Sequence, residues 1–343
     1  MPETETMHGL QEQTAVDRPD RKRIASELYQ NPVWKPLGPY RVPSELFLDV
    51  VFTEKCNCAC PWCITRTRET AREDRTAWET AVTDAFRLFD VRSVILLGGE
   101  ATMDPAFWDK LTFLSDAMEG KRVDRLILTT NGIRLRDPAF RAKLAASRID
   151  AFNLSRMHDD QRINDRIFGN QTLTREEIGN LYALMKENGK TLRLNANVYR
   201  GNLDSCTDME RYVRTFAGLC DAVKFTPLMD TSGFDTVDAV RNCSRALSIP
   251  EEEIAGLWNA FLARHGTVRR TSKVLGFVDY AETSVDGQTV ILKYAQIEGK
   301  YDCENTIPTL KVYPNGCLSN EWSFKRDIRR RLDPAKCASA ASR

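Results

Sequence analysis

The sequence predicts an α/β fold in which strands and helices alternate as far as about residue 229, followed by a mixed, β-rich segment. Leu46–Thr53 is a nearly continuous apolar run, which is typical of a strand buried on both faces of a parallel sheet. Five more short apolar runs follow it, with helix-start signals or helical periodicity between them. Six strand–helix units are too few for the eight of a closed barrel.

Each element of this main domain, residues 46–229, has a local signal. Thr76 and Glu79 have capping-box spacing, and Pro138 suits the first turn of a helix. The predicted strands are 46–53, 93–97, 125–130, 149–155, 192–198 and 222–226. The predicted helices are 76–89, 105–118, one from 138, 174–188 and 209–219.

The segments on either side of the main domain have different patterns. Residues 1–45 are predicted to be disordered or extended, since they are polar at first and then carry closely spaced prolines, with Trp34 and Tyr40 as anchors. Residues 230–343 combine an amphipathic helix at 250–265 with two hairpins that turn at Asp286-Gly287 and Asn315-Gly316. This C-terminal extension is therefore a smaller, β-rich unit.

Charge and composition exclude several classes of protein. The chain has 49 basic and 48 acidic side chains among 343 residues, so no overall field predicts a nucleic acid or an anionic membrane as partner. No apolar run is long enough to span a bilayer and no signal peptide is recognisable, so we expect a cytoplasmic protein. Only three histidines are present, which leaves little material for a histidine-based metal site or triad.

Three of the ten cysteines, Cys56, Cys60 and Cys63, have the spacing Cys-x-x-x-Cys-x-x-Cys directly after the first strand. Soft thiolates on one loop favour an iron-sulfur cluster or zinc. A structural zinc site would want a second cysteine or histidine pair, and none lies at the usual spacing. A cluster held by three cysteines keeps one iron open for chemistry. Cys58, between two of them, is predicted to be a spacer that points away.

A second motif, Gly98-Gly99-Glu100, follows the second strand, and together with the cysteines it resembles the radical S-adenosylmethionine (SAM) superfamily. The resemblance covers roughly Leu46 to Met229 and implies a partial (β/α)6 TIM-type barrel, whose open side the C-terminal extension closes over a substrate. It implies a 4Fe-4S cluster on the three cysteines and SAM on the fourth iron. SAM would be cleaved reductively to a 5′-deoxyadenosyl radical that abstracts hydrogen. The Gly-Gly-Glu turn would receive the amino group of SAM, since a carboxylate suits an ammonium and glycines permit close approach.

Other contacts to SAM are expected at the ends of later strands. By resemblance, Ser155 is expected at the ribose, Arg156 at the carboxylate and Leu228 against the adenine. Asn195 and Asn197 alternate along one strand, so both face one way and offer amide contacts if that way is the interior. The alternative for these asparagines is that they bond to neighbouring loops.

The substrate is open between two classes. His158 lies in a charged cluster with Arg156, Asp159, Asp160 and Arg162, which suits a small polar metabolite such as a sugar, a nucleoside or another natural-product intermediate. His158 is then a candidate for proton transfer, the alternative being a plain surface histidine. The second class is a ribosomally made peptide, although the first 45 residues show no peptide-binding unit. An electron donor such as flavodoxin or ferredoxin completes the expected partners.

Cys303, Cys317 and Cys337 raise the question of a second cluster in the extension. Some members of the family bind an auxiliary cluster there, but a complete site wants four thiolates, and the position five residues after Gly316 is Glu321 rather than cysteine. The alternative is that Cys317 donates a hydrogen atom to a substrate radical. Two other interpretations of the whole chain are a non-catalytic iron-sulfur redox sensor and a zinc module.

Overall fold

The computed structural model describes residues 33–44, 46–66, 69–266, 270–274, 277–294 and 305–332, so the tail predicted at the N-terminus lies outside the described residues. The described chain opens with a two-stranded hairpin, β1 (Trp34–Leu37) and β2 (Tyr40–Pro43), in which Trp34 is paired with Pro43. The segment predicted to be extended is thus paired at residues 34–43, in spite of its prolines. Both strands of a two-stranded ribbon are edge strands, where a missing N–H is tolerated.

Six parallel strands form the middle of the main sheet and confirm the predicted α/β fold. Each pairs with the next in sequence order, so their carboxyl ends lie at the same end of the sheet. The strands are β3 (Leu46–Val51), β4 (Val91–Leu97), β5 (Arg125–Thr130), β6 (Ala151–Ser155), β7 (Thr191–Val198) and β8 (Ala222–Pro227). β3 is buried along its whole length, as its apolar run predicts.

Helices connect these strands and cover the sheet. They are α1 (Arg75–Leu88), α2 (Phe107–Ala117), α3 (Pro138–Ala145), α4 (Gln161–Phe168), α5 (Arg175–Glu187) and α6 (Cys206–Thr215). The capping box predicted at Thr76 is wrong, because the Asp74 carboxylate accepts from the Ala77 amide at 2.9 Å and caps α1. α4 has no counterpart among the predicted helices, since its sequence is short and mostly polar.

The C-terminal extension adds strands to both edges of the parallel sheet. Its elements are α7 (Asp238–Leu247), α8 (Glu251–His265), β9 (Arg270–Val274), β10 (Phe277–Val285), β11 (Gln288–Lys293), β12 (Thr309–Val312), β13 (Leu318–Ser319) and α9 (Arg329–Leu332). β11 pairs in parallel with β8 and β12 with β3, which gives the eleven-stranded order β13-β12-β3-β4-β5-β6-β7-β8-β11-β10-β9. Along the described ranges, no helix is both long and apolar enough to cross a membrane.

A buried ion pair secures the carboxyl end of β3, where the cysteine motif begins. Lys110 on α2 donates to the Phe52 carbonyl and to the Asp104 carboxylate, both at 2.6 Å. Its side chain and that of Asp104 are only 6% and 1% exposed. Charges this deeply buried need partners. The pair therefore connects the end of β3 to the segment that follows β4.

Candidate active site

A cleft of about 940 Å³ opens at the carboxyl ends of the parallel strands, beside the cysteine loop (residues 54–66). Most of the sequence-predicted site residues line it, although they come from five separate parts of the chain. They are Cys56, Cys60, Cys63, Gly98, Gly99, Glu100, Ser155, Asn197 and Leu228.

The far side of the cysteine loop is held by the end of α4. The Ala59 amide donates to the Phe168 carbonyl at 2.7 Å, and Asn170 Nδ2 donates to the Asn57 carbonyl at 2.7 Å. Gly169 ends the helix in a left-handed conformation with φ of +64°, and a Cβ there would press on Ala59. A helix that the sequence did not predict thus positions the loop that carries the cysteines.

Cys58 lies in the same cleft as the three motif cysteines and does not point away as predicted. Asn131 Nδ2 donates to its Sγ at 3.3 Å, and the Cys58 amide donates to Cys56 Sγ at 3.3 Å. The strict alternation of side chains requires an extended strand, which the loop is not at this point. Hydrogen bonding by the Cys58 thiol lowers the pKa of Cys56 to about 7, while burial raises the pKa of Cys60 to about 12.

The donor set of the cleft suits a group larger than one metal ion. Within the described ranges, no three His, Cys, Asp or Glu side chains are grouped so as to hold a single ion. Cys56, Cys60 and Cys63 nevertheless face one cleft from one loop. Three thiols that face one space from one loop can ligate an iron-sulfur cluster once they are deprotonated.

The Gly-Gly-Glu turn is joined directly to the backbone that leads into the cysteine loop. The Gly99 amide donates to the Thr53 carbonyl at 2.9 Å, and the Glu100 amide donates to the Lys55 carbonyl at 2.8 Å. A Cβ on Gly98 would overlap the Thr53 carbonyl, and one on Gly99 would overlap two further backbone carbonyls. The glycines therefore permit one backbone to approach another, which differs from the predicted reason, close approach to a ligand.

Glu100 is a buried carboxylate held by four donors at the rim of the cleft. One oxygen accepts from the Thr102 amide at 3.2 Å, the Thr102 hydroxyl at 2.7 Å and the Thr130 hydroxyl at 2.8 Å. The other accepts only from the Asn131 amide, at 2.7 Å, among the described residues. Burial raises the pKa of this carboxyl, and a cation at the second oxygen would favour its charged form. Glu100 thus fits a bound ammonium group.

Polar side chains on β6 and β7 give a second sign of a ligand. Ser155 and Asn197 line the cleft, and Asn195 is the neighbour of Ser155 in the paired strands. Asn195 does not itself line the cleft, but its Oδ1 is buried and accepts no hydrogen bond within the described chain. A buried amide oxygen without a donor is costly, so this end of the sheet is suited to a polar ligand.

Apolar side chains close the opposite wall. Leu228 packs in a small cluster with Trp62 and Tyr199, and the two rings lie 4.6 Å apart between centroids. Trp62 lines the cleft and was missing from the predicted site, although its place immediately before Cys63 was a usable signal. This wall suits a flat apolar group such as an adenine.

Arg156 does not reach the cleft. Its guanidinium is buried and donates to the carbonyls of His158 and Leu173, both at 2.8 Å, and to Gln161 Oε1 at 3.0 Å. Burial lowers the pKa of Arg156. All of its side-chain hydrogen-bond acceptors lie between β6 and α5, and the guanidinium also lies 5.3 Å from the centroid of the Phe216 ring. Arg156 therefore braces that segment, and its donors are used there and not in the cleft.

The other charged side chains near Arg156 pair within their own loop or with α6. Asp160 caps α4 by accepting from the Ile163 amide at 2.9 Å, and Asp159 pairs with Arg211 at 2.8 Å. His158 Nδ1 accepts from the Asp160 amide at 2.9 Å, and burial lowers the pKa of this histidine. None of the three is among the described residues that line the cleft. The cluster therefore orders the loop before α4, and a role of His158 in proton transfer stays a prediction.

Cys317 is buried between the ends of β3 and β4 and the C-terminal extension, and it does not line the cleft. It is buried with Val51, Tyr313, Leu97 and Phe324, and burial raises its pKa to about 12. The thiol is thus protonated at neutral pH. Cys303 and Cys337, the other thiols considered for an auxiliary cluster, lie outside the described residues.

Comparisons with known proteins agree with this arrangement. Residues 50–213 match the family model of the radical SAM superfamily. SuiB of Streptococcus suis, in a crystal structure bound to precursor peptide SuiA, is 16% identical with a TM-score of 0.57, covering 87% of this chain and 67% of SuiB. SuiB bound to S-adenosylmethionine gives 16% identity and a TM-score of 0.58, over 88% of this chain and 69% of SuiB.

A weaker likeness is to coproporphyrinogen III oxidase (HemN) of Escherichia coli, described as a radical SAM enzyme. It is 14% identical with a TM-score of 0.43, over 73% of this chain and 66% of HemN. A comparison with curated protein sequences finds no match. At these identities the similarity to SuiB establishes the fold, with the mostly parallel sheet of a partial barrel.

Proposed function

Because residues 50–213 match the family model of the radical SAM superfamily, we propose that the chain is a radical SAM enzyme that abstracts a hydrogen atom from an organic substrate held beside the cysteine loop. The observation that carries the proposal is the single cleft that the three cysteines share with the Gly98-Gly99-Glu100 turn. When bound, the 4Fe-4S cluster and SAM supply reductive cleavage of the sulfonium and the radical that takes the hydrogen.

Different residues of the cleft would hold the iron-sulfur cluster and the separate parts of SAM. Cys56, Cys60 and Cys63 would ligate the cluster through their thiolates. The second oxygen of Glu100 would accept from the SAM ammonium. Ser155 and the Asn197 amide would contact the ribose or the carboxylate, with Asn195 supporting them from the next register position. Each assignment uses a group that lies in or directly beside the cleft.

The apolar wall would exclude water from the reacting groups. Leu228 and Trp62 would contact the adenine, with Tyr199 packed behind the indole. A water-excluded site strengthens the electrostatic contacts of Glu100 and limits side reactions of a radical.

Of the two substrate classes, the geometry gives less support to the polar metabolite than its charged cluster suggested. Arg156 and Asp160 are bonded within their own loop, and Asp159 is paired with Arg211 on α6. A peptide substrate therefore has relatively more support. The fold is shared with SuiB, whose crystal structure holds a precursor peptide. A peptide substrate is therefore the second candidate for the same reaction.

Cys317 remains a candidate hydrogen-atom donor. Its protonated thiol would give a hydrogen atom to a substrate radical, leaving a thiyl radical that an external electron donor, such as a flavodoxin or a ferredoxin, and a proton would restore. Cys317 packs against Val51 and Leu97, which line a cavity beside the cleft, but it lines neither space itself, so the transfer would require those side chains to move aside.

The test is anaerobic reconstitution of the chain with iron and sulfide, followed by SAM and dithionite. We expect about four iron atoms per chain and formation of 5′-deoxyadenosine and methionine, measured by chromatography. The variant with Cys56, Cys60 and Cys63 all replaced by alanine should lose both. Cys220→Ala, a buried cysteine just before β8 at the end of the sheet away from the cleft, is the matched control and should keep both. A reconstituted wild type that never forms 5′-deoxyadenosine would instead favour the redox sensor.

A further inference from the structure

A second cavity, about 480 Å³, adjoins the cleft and is lined by the C-terminal extension. Ile64, Leu97 and Gly98 line both spaces, so a ligand in this second cavity would lie next to the Gly-Gly-Glu turn. The cavity is therefore placed where a substrate would meet the reactive end of the cleft.

The walls of the second cavity are mainly aromatic and aliphatic. Tyr313, Trp322 and Phe324 contribute rings, and Val51 and Ile64 contribute aliphatic side chains. Tyr313 and Phe324 contact each other in an edge-to-face arrangement, with centroids 6.1 Å apart. Rings and branched aliphatic groups arranged in this way suit a planar apolar ligand group.

Most polar groups at this cavity already have partners. Lys325 Nζ, at its rim, pairs with Asp235 at 2.7 Å and with Glu69 at 3.1 Å. Glu54 Oε2 accepts from the Ala71 amide, and the Tyr313 hydroxyl donates to the Glu321 carbonyl at 3.2 Å. A sugar would leave several hydroxyls unpaired among these walls, and a buried polar group without a partner weakens binding.

Trp322 gives an independent sign that a ligand belongs here. Its Nε1 is buried and donates to no acceptor within the described chain. The ammonium of Lys311 lies 4.6 Å from the centroid of its ring, which favours a fixed position for the indole. Trp322 thus contributes a ring to the cavity wall, while its indole N–H has no acceptor within the described chain.

We propose that this cavity is the substrate subsite and that it takes an aromatic ring, or an apolar group of that size, rather than a polyol. The inference rests on the proposed function, because it assigns the substrate of that same site. Two sources supply this chemistry: an aromatic side chain within a peptide, and a small aromatic metabolite.

Binding to the reconstituted holoenzyme with SAM tests the proposal without requiring turnover. The probes are p-cresol as a free ring, N-acetyl-L-tyrosinamide as a ring on a peptide backbone, and methyl β-D-glucoside as a polyol, followed by saturation-transfer NMR and titration. We expect saturable binding of both ring probes and none of the glucoside. Tighter binding of the tyrosinamide assigns the ring to a peptide, and tighter binding of p-cresol assigns it to a small metabolite.

Variants locate the binding. Phe324→Leu and Trp322→Leu should weaken the ring probe by about five- to tenfold, since an aromatic contact of this kind contributes that much. Trp108→Leu is the matched control, because Lys143 Nζ lies 4.1 Å from that ring in the same kind of pair, far from the cavity. It should bind the probe as the wild type does.

Three results would overturn the inference: no saturable ring binding to the wild type, equal ring binding to all three variants, or saturable binding of the glucoside in place of the rings. Formation of 5′-deoxyadenosine by the same holoenzyme is measured in parallel. If it forms while no ring binds, only the subsite fails; if it does not form, the proposed function itself fails.

Discussion

The Glu100 amide donates to the Lys55 carbonyl at 2.8 Å, and this bond joins the two motifs on which the site depends. The turn after β4 and the loop after β3 are adjacent because their strands are paired in parallel. Their backbones meet so closely that the turn must begin with glycine. The cysteine loop and the Gly-Gly-Glu turn are therefore a single structural unit.

Gly99→Ala should disable this unit. A Cβ at Gly99 would overlap the carbonyl oxygens of Glu54 and Lys55, so the turn and the cysteine loop must separate. Because a displacement of this size at a reacting centre costs about a hundredfold, we expect a loss of that order in 5′-deoxyadenosine formation. The measurement is chromatography after anaerobic reconstitution.

Gly256→Ala is the matched control, since a Cβ on that residue of α8 would meet nothing within 4 Å. It should keep full activity. A fully active Gly99→Ala enzyme would show that the close approach of the two backbones is not needed.

Comparing Cys56→Ala with Cys58→Ala should show which of these two cysteines ligates the cluster. Both thiols line the cleft, but only Cys56 belongs to the Cys-x-x-x-Cys-x-x-Cys spacing. We expect Cys56→Ala to lose iron and Cys58→Ala to keep it, as measured by iron content and by the visible absorption of the cluster. If Cys56→Ala retained iron and Cys58→Ala lost it, Cys58 would be the ligand and Cys56 would not.

Lys110→Met should destabilise the fold strongly. The substitution leaves the Asp104 carboxylate buried without its cation, for which the cost is about 3–5 kcal/mol. Urea unfolding gives the free energy of unfolding, with Lys143→Met as a control because that lysine is exposed. If Lys110→Met lowered the free energy of unfolding no more than Lys143→Met does, water would have to reach the Asp104 carboxylate in solution.

The stability of the protein should fall at mildly acidic pH, in part through His158. Burial lowers the pKa of this histidine in the folded state, so between that value and about 6.5, the ordinary pKa, the unfolded chain binds more protons. The His158 contribution is therefore intact above about pH 6.5 and is lost as the pH falls through the folded-state pKa.

His158→Gln tests this by removing the titrating group. Melting temperatures of the wild type and the variant, measured from pH 5 to pH 8, should show a shallower acid slope for the variant. Parallel curves would assign the acid sensitivity to other groups. Formation of 5′-deoxyadenosine at pH 8 should match the wild type, because His158 does not line the cleft.

The sequence alone determined the order of the main strands, the thiol motif and the Gly-Gly-Glu turn. Apolar runs such as Leu46–Val51 and the spacing of Cys56, Cys60 and Cys63 are local features. Such features can be recognised in the amino-acid sequence without knowing the fold. Because parallel strands place their carboxyl ends together, the meeting of these motifs at one cleft also followed from the pattern.

Only the tertiary structure decided which polar residues belong to the site. Arg156 and Ser155 are adjacent in the chain, yet Arg156 is buried among carbonyls of its own loop while Ser155 lines the cleft. The aromatic cavity was equally invisible, because Val51 and Trp322 are far apart in sequence and meet only when β12 pairs with β3. Side-chain partners and cavities depend on such long-range contacts, which no local pattern encodes.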